Sequence, residues 1–206
     1  MNRFISKIRL AVIVASMLVI FAITSKVSWS QTPMTDASPP PTTNAKAQIT
    51  GPGITGNLKL RQDPGGFVWV YLNLEGDPAI LTPGLHGFHI HQTGSCQEGQ
   101  QPAFISAGGH FDPGPYGNTT PVEANHPYHL GDLPNAEIDE TGTGKLSAIT
   151  TRFTLSESPL TVFDSDGSAV IVHALTDQMI AGGTAAQTGG PRLACGVIEP
   201  DFSSNP

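Results

Sequence analysis

The sequence predicts an all-β domain, either an antiparallel sandwich or a barrel of short strands. Three observations indicate this fold class. Several short runs are apolar, β-branched or alternating, turns rich in Gly and Pro separate them, and no convincing helical period appears. Such a pattern is typical of antiparallel architectures. No internal repeat is visible in the sequence.

The predicted strands follow one another in chain order. Ile54–Gln62 alternates apolar and polar residues, so one of its faces is expected to point into the core. Phe67–Leu74 is aromatic and β-branched, and Leu85–His91 comes after a turn rich in Gly and Pro. Three further strands complete the predicted set: Lys145–Leu155, Ala169–Ala174 and Leu193–Ile198.

The first residues, 1–30, are predicted to be a signal peptide. A basic start precedes the uncharged run Leu10–Ser25, and the small residues of Ser28-Trp29-Ser30 suit cleavage. The alternative is a retained membrane anchor, but the run is shorter than the roughly 20 residues that a span needs. We therefore expect export to the periplasm or the extracellular space, and a membrane tether only if the segment stays uncleaved.

The rest of the chain divides into a linker, one domain and a short tail. Residues 31–47 are rich in Pro, Thr, Ser and Ala and are predicted to be a flexible or extended linker. Residues 48–200 fit one domain of ordinary size, and residues 201–206 form the tail. The net charge of −7 argues against a nucleic acid as partner, because a phosphate backbone attracts cationic surfaces.

Two cysteines, Cys96 and Cys195, raise the question of a disulfide. In an exported protein an even cysteine count favours a bridge, and the alternative is two separate buried thiols. In the chain-entropy model a bridge closing a loop of about 100 residues is worth about 4.7 kcal/mol.

Two histidines alternate in the run Phe88-His89-Ile90-His91. Residues i and i+2 of a strand point to the same face, so both imidazoles are expected to meet at one metal ion. Imidazole suits copper, zinc, iron and nickel. His173 ends another apolar run, where a lone histidine is usually a core residue. Beside a strand that carries His-x-His, the ligand interpretation becomes the better one.

Two long connections, residues 92–134 and 175–191, interrupt the predicted strands. Long irregular loops in a compact domain are usually functional or disordered. The first loop contains residue types that are typical zinc ligands, and metal binding could order it. These residues are His110, His126, His129 and Asp132.

Taken together, these motifs closely resemble the copper/zinc superoxide dismutase family. The matching stretches are collinear and extend over nearly all of residues 48–200. They are Leu85–His91, Ser106–Pro113, His129–Asn135, Val172-His173 and Gly190–Ile198. The resemblance implies an immunoglobulin-like Greek-key sandwich or barrel with two long functional loops.

The resemblance also implies copper and zinc ions as cofactors and a set of ligands for each. His110 would bridge the two metals. The copper ligands would be His89, His91, His110 and His173, and the zinc ligands would include His110, His129 and Asp132.

Other residues acquire roles from the same resemblance. Arg192 would hold the superoxide anion, Asp177 would link ligands of the two metals, and His86 would brace the backbone without being a ligand. Cys96 and Cys195 would form the family's disulfide. The implied reaction converts two superoxide anions and two protons to dioxygen and hydrogen peroxide. Copper alternates between Cu(II) and Cu(I), and His110 leaves copper and carries a proton.

The sequence departs from the family pattern at one zinc ligand. The family usually supplies a histidine eight or nine residues after the bridging one, where this chain has Asn118 and Thr119. We hypothesise that His126 replaces it; the alternative is a solvated loop residue and weak or absent zinc binding. Asn118-Thr119-Thr120 also forms a glycosylation sequon.

Two other functions remain open at this point. One is a copper-only dismutase, which the missing histidine suggests, and the other is a non-catalytic copper-binding module on the same fold. The retained Arg192 and copper ligands disfavour the second. Residues 174–191 contain no Lys or Arg, so we predict modest electrostatic steering of superoxide. The sequence is compatible with either a monomer or a dimer.

Overall fold

The computed structural model describes residues 43–113 and 126–203, which form ten antiparallel β-strands. These residues contain one 3₁₀ turn, Ile105–Ala107, and no α-helix. None of them lies in a helix long and apolar enough to cross a membrane. The strands are β1 (Thr43–Gly51), β2 (Ile54–Gln62), β3 (Val68–Gly76), β4 (Gly84–His86), β5 (Phe88–His91), β6 (Ala136–Ile138), β7 (Thr143–Thr150), β8 (Ala169–His173), β9 (Arg192–Val197) and β10 (Glu199–Pro200).

The four longest strands form the continuous wall of the molecule. β1 pairs with β2 along its whole length, β2 pairs with β3, and β3 pairs with β7. Buried and exposed positions alternate along the first three of these strands, as a half-buried strand requires. Their inward residues include Ala45, Ala47, Ile49, Leu58, Leu60, Val70 and Leu72.

The sheet curls into a nearly closed barrel. Its spatial order is β4-β6-β7-β3-β2-β1-β9-β8-β5, with β10 on β1, so β4 and β5 lie at opposite ends of the order. They are nevertheless consecutive in the chain, with only Gly87 between them. The predicted all-β antiparallel fold is therefore confirmed.

Gly87 is placed where no side chain fits easily. Its N–H donates to Leu175 O at 2.8 Å, and its carbonyl accepts from His173 N at 2.8 Å. A Cβ at this position would lie 3.1 Å from Gly189 Cα and 3.2 Å from His89 Cε1. At Gly87 the chain between β4 and β5 therefore lies close to the backbone after β8 and before β9, an approach that glycine permits.

The structure differs from the predicted elements at several points. β1 begins at Thr43, inside the segment 31–47 that was predicted to be a linker, because residues 45, 47 and 49 bury an alternating apolar face. The predicted strand Leu85–His91 is two strands broken at Gly87. The predicted strand Lys145–Leu155 ends at Thr150, and the short strands β6 and β10 were not predicted. β2 was predicted with its observed bounds.

The predicted disulfide is present. Cys96 and Cys195 are bonded, with their Cα atoms 5.7 Å apart, so the loop after β5 is tied to β9. A small apolar cluster of Phe104, Ala107, Ala169, Ile171 and Cys195 packs beside it, separate from the main core. The signal segment 1–30, most of the linker, the sequon and residues 204–206 lie outside the described residues.

Candidate metal centre

Strands β5 and β8 supply three of the seven histidines to one point. They pair antiparallel, with Phe88 opposite Val172, and all residues of both strands are buried. His110, on the following loop, forms an isolated bridge with His91. Ligand nitrogens of His89, His91, His110 and His173 all lie within 4.8 Å of one another. The four predicted copper ligands are thus brought together.

A second group of potential ligands adjoins the first. It consists of His110, His126, His129 and Asp132, whose ligand atoms also lie within 4.8 Å of one another. His110 belongs to both groups. We call the first group the four-histidine cluster and the second group the His₃Asp cluster.

Hydrogen bonds fix which ring nitrogens face the four-histidine cluster. His91 Nδ1 donates to Gly108 O at 3.0 Å, and His173 Nδ1 donates to Gly190 O at 2.9 Å. Since a carbonyl only accepts, the Nε2 atom of each neutral ring holds a lone pair, and these two Nε2 atoms lie 3.4 Å apart. Buried His89 Nδ1 has no hydrogen-bond partner. A metal cation bound here could accept the lone pairs of these two Nε2 atoms and of His89 Nδ1.

Asp177 joins the two clusters through one carboxylate. Its Oδ2 accepts from His89 Nε2 at 2.8 Å, and its Oδ1 accepts from His126 Nε2 at 2.7 Å. Asn135 holds Asp177 by two further bonds to its backbone, of 2.8 and 2.9 Å. Burial alone would raise the pKa of Asp177, but the hydrogen bonds from His126 and His89 outweigh it and lower that pKa.

Asp132 is the shared acceptor of the His₃Asp cluster. Its Oδ1 lies 2.6 Å from His110 Nδ1, and its Oδ2 accepts from the backbone N and Nδ1 of His129 at 3.0 and 3.1 Å. Burial acts to raise the pKa of Asp132, but the close ring nitrogens of His110, His126 and His129 lower it strongly. The carboxylate is therefore ionised, as a metal ligand must be.

His126 lies fully buried between the two carboxylates. Its Nδ1 is 3.3 Å from Asp132 Oδ2 without hydrogen-bond geometry, while its Nε2 is held by Asp177. Burial opposes the charged form, yet Asp132 and Asp177 together raise the pKa of His126 to about 9. A cation that binds Nδ1 must displace its proton.

Three histidines of the four-histidine cluster have pKa values that are shifted in the opposite direction, downwards. Burial, and then the charge of neighbouring His89, lowers the pKa of His110 to about 4. Burial also lowers the pKa of His91 and of His173 well below the ordinary range. These three rings are therefore neutral at neutral pH and have lone pairs available for a metal.

Arg192 lies beside the four-histidine cluster, where the first residue of β9 meets the loop after β5. Its Nη1 donates to Phe104 O at 2.7 Å and its Nη2 to Gly108 O at 2.5 Å. With His91, His110 and His173 it lines a cavity of about 620 Å³. The predicted anion-binding residue thus borders the same cavity as three of the four predicted copper ligands.

His86 is outside both clusters, as expected of a bracing residue. Its two ring nitrogens lie 2.7 Å from His173 O and 2.7 Å from Thr82 O. The ring therefore connects the end of β8 to the loop before β4.

Two residues of the site were not predicted from the sequence. Arg152 Nη1 donates to Pro127 O and His129 O at 3.0 and 3.1 Å, and so braces the loop of the His₃Asp cluster. Phe104 adopts a left-handed backbone conformation, φ 53° and ψ 27°, with its carbonyl on Arg192. Neither has a local sequence signal, because each acts through contacts between distant segments.

Comparison with known proteins gives one consistent family. The family model described as copper/zinc superoxide dismutase matches residues 54–198. The chain is 36% identical over 163 residues to a Cu-Zn superoxide dismutase of Onchocerca volvulus, covering 76% of this chain and 95% of that protein. It is 34% identical over 148 residues to a Cu-Zn superoxide dismutase of Photobacterium leiognathi, covering 70% of this chain and 78% of that protein.

A solved structure agrees with these relatives. The crystal structure of a double mutant of a SOD-like protein from Bacillus subtilis is similar, with a TM-score of 0.58 and 30% sequence identity. The similarity covers 74% of this chain and 95% of that one.

Proposed function

The chain belongs to the copper/zinc superoxide dismutase family, and from this membership we propose an exported dismutase with a histidine-bridged copper-zinc site. Copper is assigned to the four-histidine cluster and zinc to the His₃Asp cluster. The observation that carries the assignment is His110, which is part of both clusters. Its Nδ1 faces Asp132, which leaves Nε2 for the four-histidine cluster. One imidazole can therefore serve two metal ions.

The proposed reaction takes two superoxide anions and two protons to dioxygen and hydrogen peroxide. Copper supplies the one-electron exchange by alternating between Cu(II) and Cu(I). Arg192 binds and orients the anion, since its guanidinium is charged at any working pH. Among the described residues it makes two hydrogen bonds, so three of its five N–H groups remain for a substrate. During turnover His110 would take up one proton from solvent at Nε2 and give it to the reduced substrate, and the second proton would come from solvent.

A zinc ion would supply no electron, because it has no redox chemistry. Its contribution is to hold the loop that contains His126 and His129 and to orient His110. The burial of His126, and its place among the other zinc ligands, favour a copper-zinc enzyme over a copper-only one. Asp177 fixes the ring orientation of one ligand on each side.

Export is supported by two features. One is the signal-like segment 1–30, and the other is the disulfide, since disulfides persist in oxidising compartments.

The test of this function is metal content together with superoxide consumption by the purified protein. We expect one copper and one zinc per chain and rapid dismutation. Arg192→Ala should keep both metals and lose about tenfold or more in kcat/KM. Arg61→Ala, a change of an exposed arginine on β2, is the matched control and should leave the rate unchanged.

Two outcomes would contradict the proposal. Unchanged turnover of a fully metallated Arg192→Ala protein would mean that Arg192 does not bind the substrate. A fully metallated wild-type protein that consumes no superoxide would instead indicate the non-catalytic copper-binding module.

A further inference from the structure

The cavity above the four-histidine cluster is far larger than a two-atom anion requires. Its volume of about 620 Å³ falls within the range of cavities that bind small organic ligands, roughly 300–1,000 Å³. Both polar groups, from the histidines and Arg192, and apolar side chains line it. A ligand that matches both kinds of lining is charged at one end and apolar at the other.

Apolar residues from two loops also line the cavity. The loop after β5 contributes Pro102 and Ile105, and Ile105 is 49% exposed. The loop before β9 contributes Ala185, Ala186 and Pro191, which are all exposed. A ligand with an apolar group would bury part of this surface, and burial of apolar surface is favourable.

One arginine supplies the permanent positive charge in the lining of the cavity. Arg192 is the one Lys or Arg residue among the described residues that line it. Its guanidinium is clamped by Phe104 O and Gly108 O and keeps three N–H donors for an anion. A carboxylate matches the planar geometry of such a group.

We propose that this cavity binds a small organic monocarboxylate with a short, unbranched apolar tail. The carboxylate lies at Arg192, and the tail lies between Ile105 and the wall of Ala185 and Ala186. The inference rests on the proposed function, because it gives the same arginine a second anionic ligand. Such a ligand occupies the substrate's position and excludes superoxide from the site.

The test uses the copper- and zinc-loaded protein and three acids of increasing length: acetate, butyrate and hexanoate. Occupancy is read from the Cu(II)-induced relaxation of the ligand protons, which also reports that the ligand lies near the copper. We expect the dissociation constant to fall about tenfold from acetate to hexanoate, since burial of each methylene is favourable.

Two variants separate the tail contact from the charge contact. Ile105→Ser should leave acetate binding unchanged and remove most of the gain with chain length. Ile149→Ser is the matched control, because Ile149 is 52% exposed on β7 and does not line the cavity. It should keep the full chain-length dependence. Arg192→Ala should weaken the binding of all three acids.

The result that would overturn the inference is equal affinity for the three acids, which would leave a site for small anions only. Chain-length dependence that survives Ile105→Ser would also overturn it, because the tail would then lie elsewhere. A superoxide assay on the same samples keeps the two proposals apart. Absent dismutation with intact chain-length dependence would contradict the proposed function and still support the carboxylate site.

Discussion

His126 is the residue that we propose as the substitute for the missing zinc ligand. It is fully buried, with one ring nitrogen on Asp177 and the other directed at the His₃Asp cluster. A solvated loop histidine would have neither contact. We infer that His126 supplies the zinc ligand that the sequence lacks at Asn118 and Thr119.

The first prediction concerns this ligand. His126→Ala leaves three zinc ligands, so zinc affinity should fall by more than about tenfold while copper stays bound. Metal analysis after dialysis against a competing chelator measures this directly. Tyr128→Ala, a change of an exposed side chain in the same loop, should keep its zinc. Full zinc occupancy in His126→Ala would show that His126 is not a ligand.

The role of Phe104 depends on its backbone conformation. A left-handed conformation is uncommon for a bulky residue and costs roughly 1–2 kcal/mol. The buried ring packs in the small cluster beside the disulfide, and the carbonyl holds Arg192. Packing of the ring thus stabilises a backbone turn that positions the guanidinium.

The second prediction follows from that strain. Phe104→Ala should destabilise the protein by about 3 kcal/mol through loss of the buried ring. Phe104→Gly should be at least as stable as Phe104→Ala, because glycine adopts positive φ freely. Its free energy of unfolding should exceed that of the alanine variant by up to about 1 kcal/mol. Urea unfolding of the metallated proteins measures both. If Phe104→Gly were clearly less stable than Phe104→Ala, the left-handed backbone at position 104 would not be strained.

At the residue scale, the sequence predicted those groups whose function follows from residue type and spacing. The alternation at His89 and His91, the lone His173 and the cysteine pair all acquired their meaning from residue type and spacing. Phe104 and Arg152 could not be predicted in this way. Their side chains are ordinary, and their function depends on which distant carbonyl each one contacts.

At the element scale, local pattern predicted the long strands better than the short ones. β2 alternates over nine residues, so its bounds could be read directly. β6 and β10 span three and two residues, too few for a period, and depend on their partners. Residues 43–47 of β1 were assigned to the linker because their inward side chains are the small Ala45 and Ala47, which give little hydrophobic signal.

The turn between β6 and β7 depends on Asp139. Its Oδ1 accepts from Thr141 N at 2.8 Å and Thr143 N at 3.0 Å, and Thr141 Oγ1 donates to the same oxygen at 2.6 Å. The hydrogen bond from the Thr141 hydroxyl, and then those from the backbone, lower the pKa of Asp139 from 3.8. The ionised carboxylate therefore organises the hairpin.

The third prediction is a pH-dependent loss of stability in Asp139→Asn. Because the folded-state pKa is lowered, the carboxylate stabilises the fold above the unfolded pKa of about 3.8. That stabilisation is lost as pH falls through the folded-state pKa. The variant should therefore unfold at lower urea than wild type at pH 7, and the difference should shrink below pH 4. Glu140→Gln, at the exposed next position, should show no difference at either pH. A difference that stayed constant with pH would contradict this role.

At the scale of the whole molecule, polar contacts, the disulfide and apolar side chains together fix the two long loops to the barrel. Asp177 and Asn135 connect the loops to each other, and the two ligand clusters lie between them and β5. The long wall of β1, β2, β3 and β7 contributes no residue to either cluster.

The fourth prediction is that metal removal affects these two parts unequally. A metal that binds only the native state stabilises it in proportion to the logarithm of its concentration. Chelation of both ions should therefore lower the unfolding temperature. It should also raise hydrogen exchange in residues 126–135 and 174–191, while β2 and β3 keep their protection. Uniform loss of protection across the barrel would show that the metals support the whole fold instead.

The net charge of the chain repels superoxide, whereas the local charge at the cavity entrance attracts it. The chain has a net charge of −7 and its substrate is an anion, so long-range attraction must come from local cations. Within the described residues that line the cavity, Arg192 is the one lysine or arginine, and the loop 174–191 contains none. The entrance therefore attracts superoxide only weakly, and kcat/KM should depend little on ionic strength.

The fifth prediction places a cation where the loop has none. Ala185→Lys puts a positive charge on the exposed wall of the cavity and should raise kcat/KM several-fold at low ionic strength. This gain should fade towards 0.15 M salt, where the Debye length is about 8 Å. Thr55→Lys makes the same charge change at an exposed position on β2, which does not line the cavity, and should have little effect. An equal gain in both variants would mean that net charge limits the encounter, whereas no gain in Ala185→Lys would mean that superoxide arrival is already unhindered. Either result would contradict weak local steering as the property of this entrance.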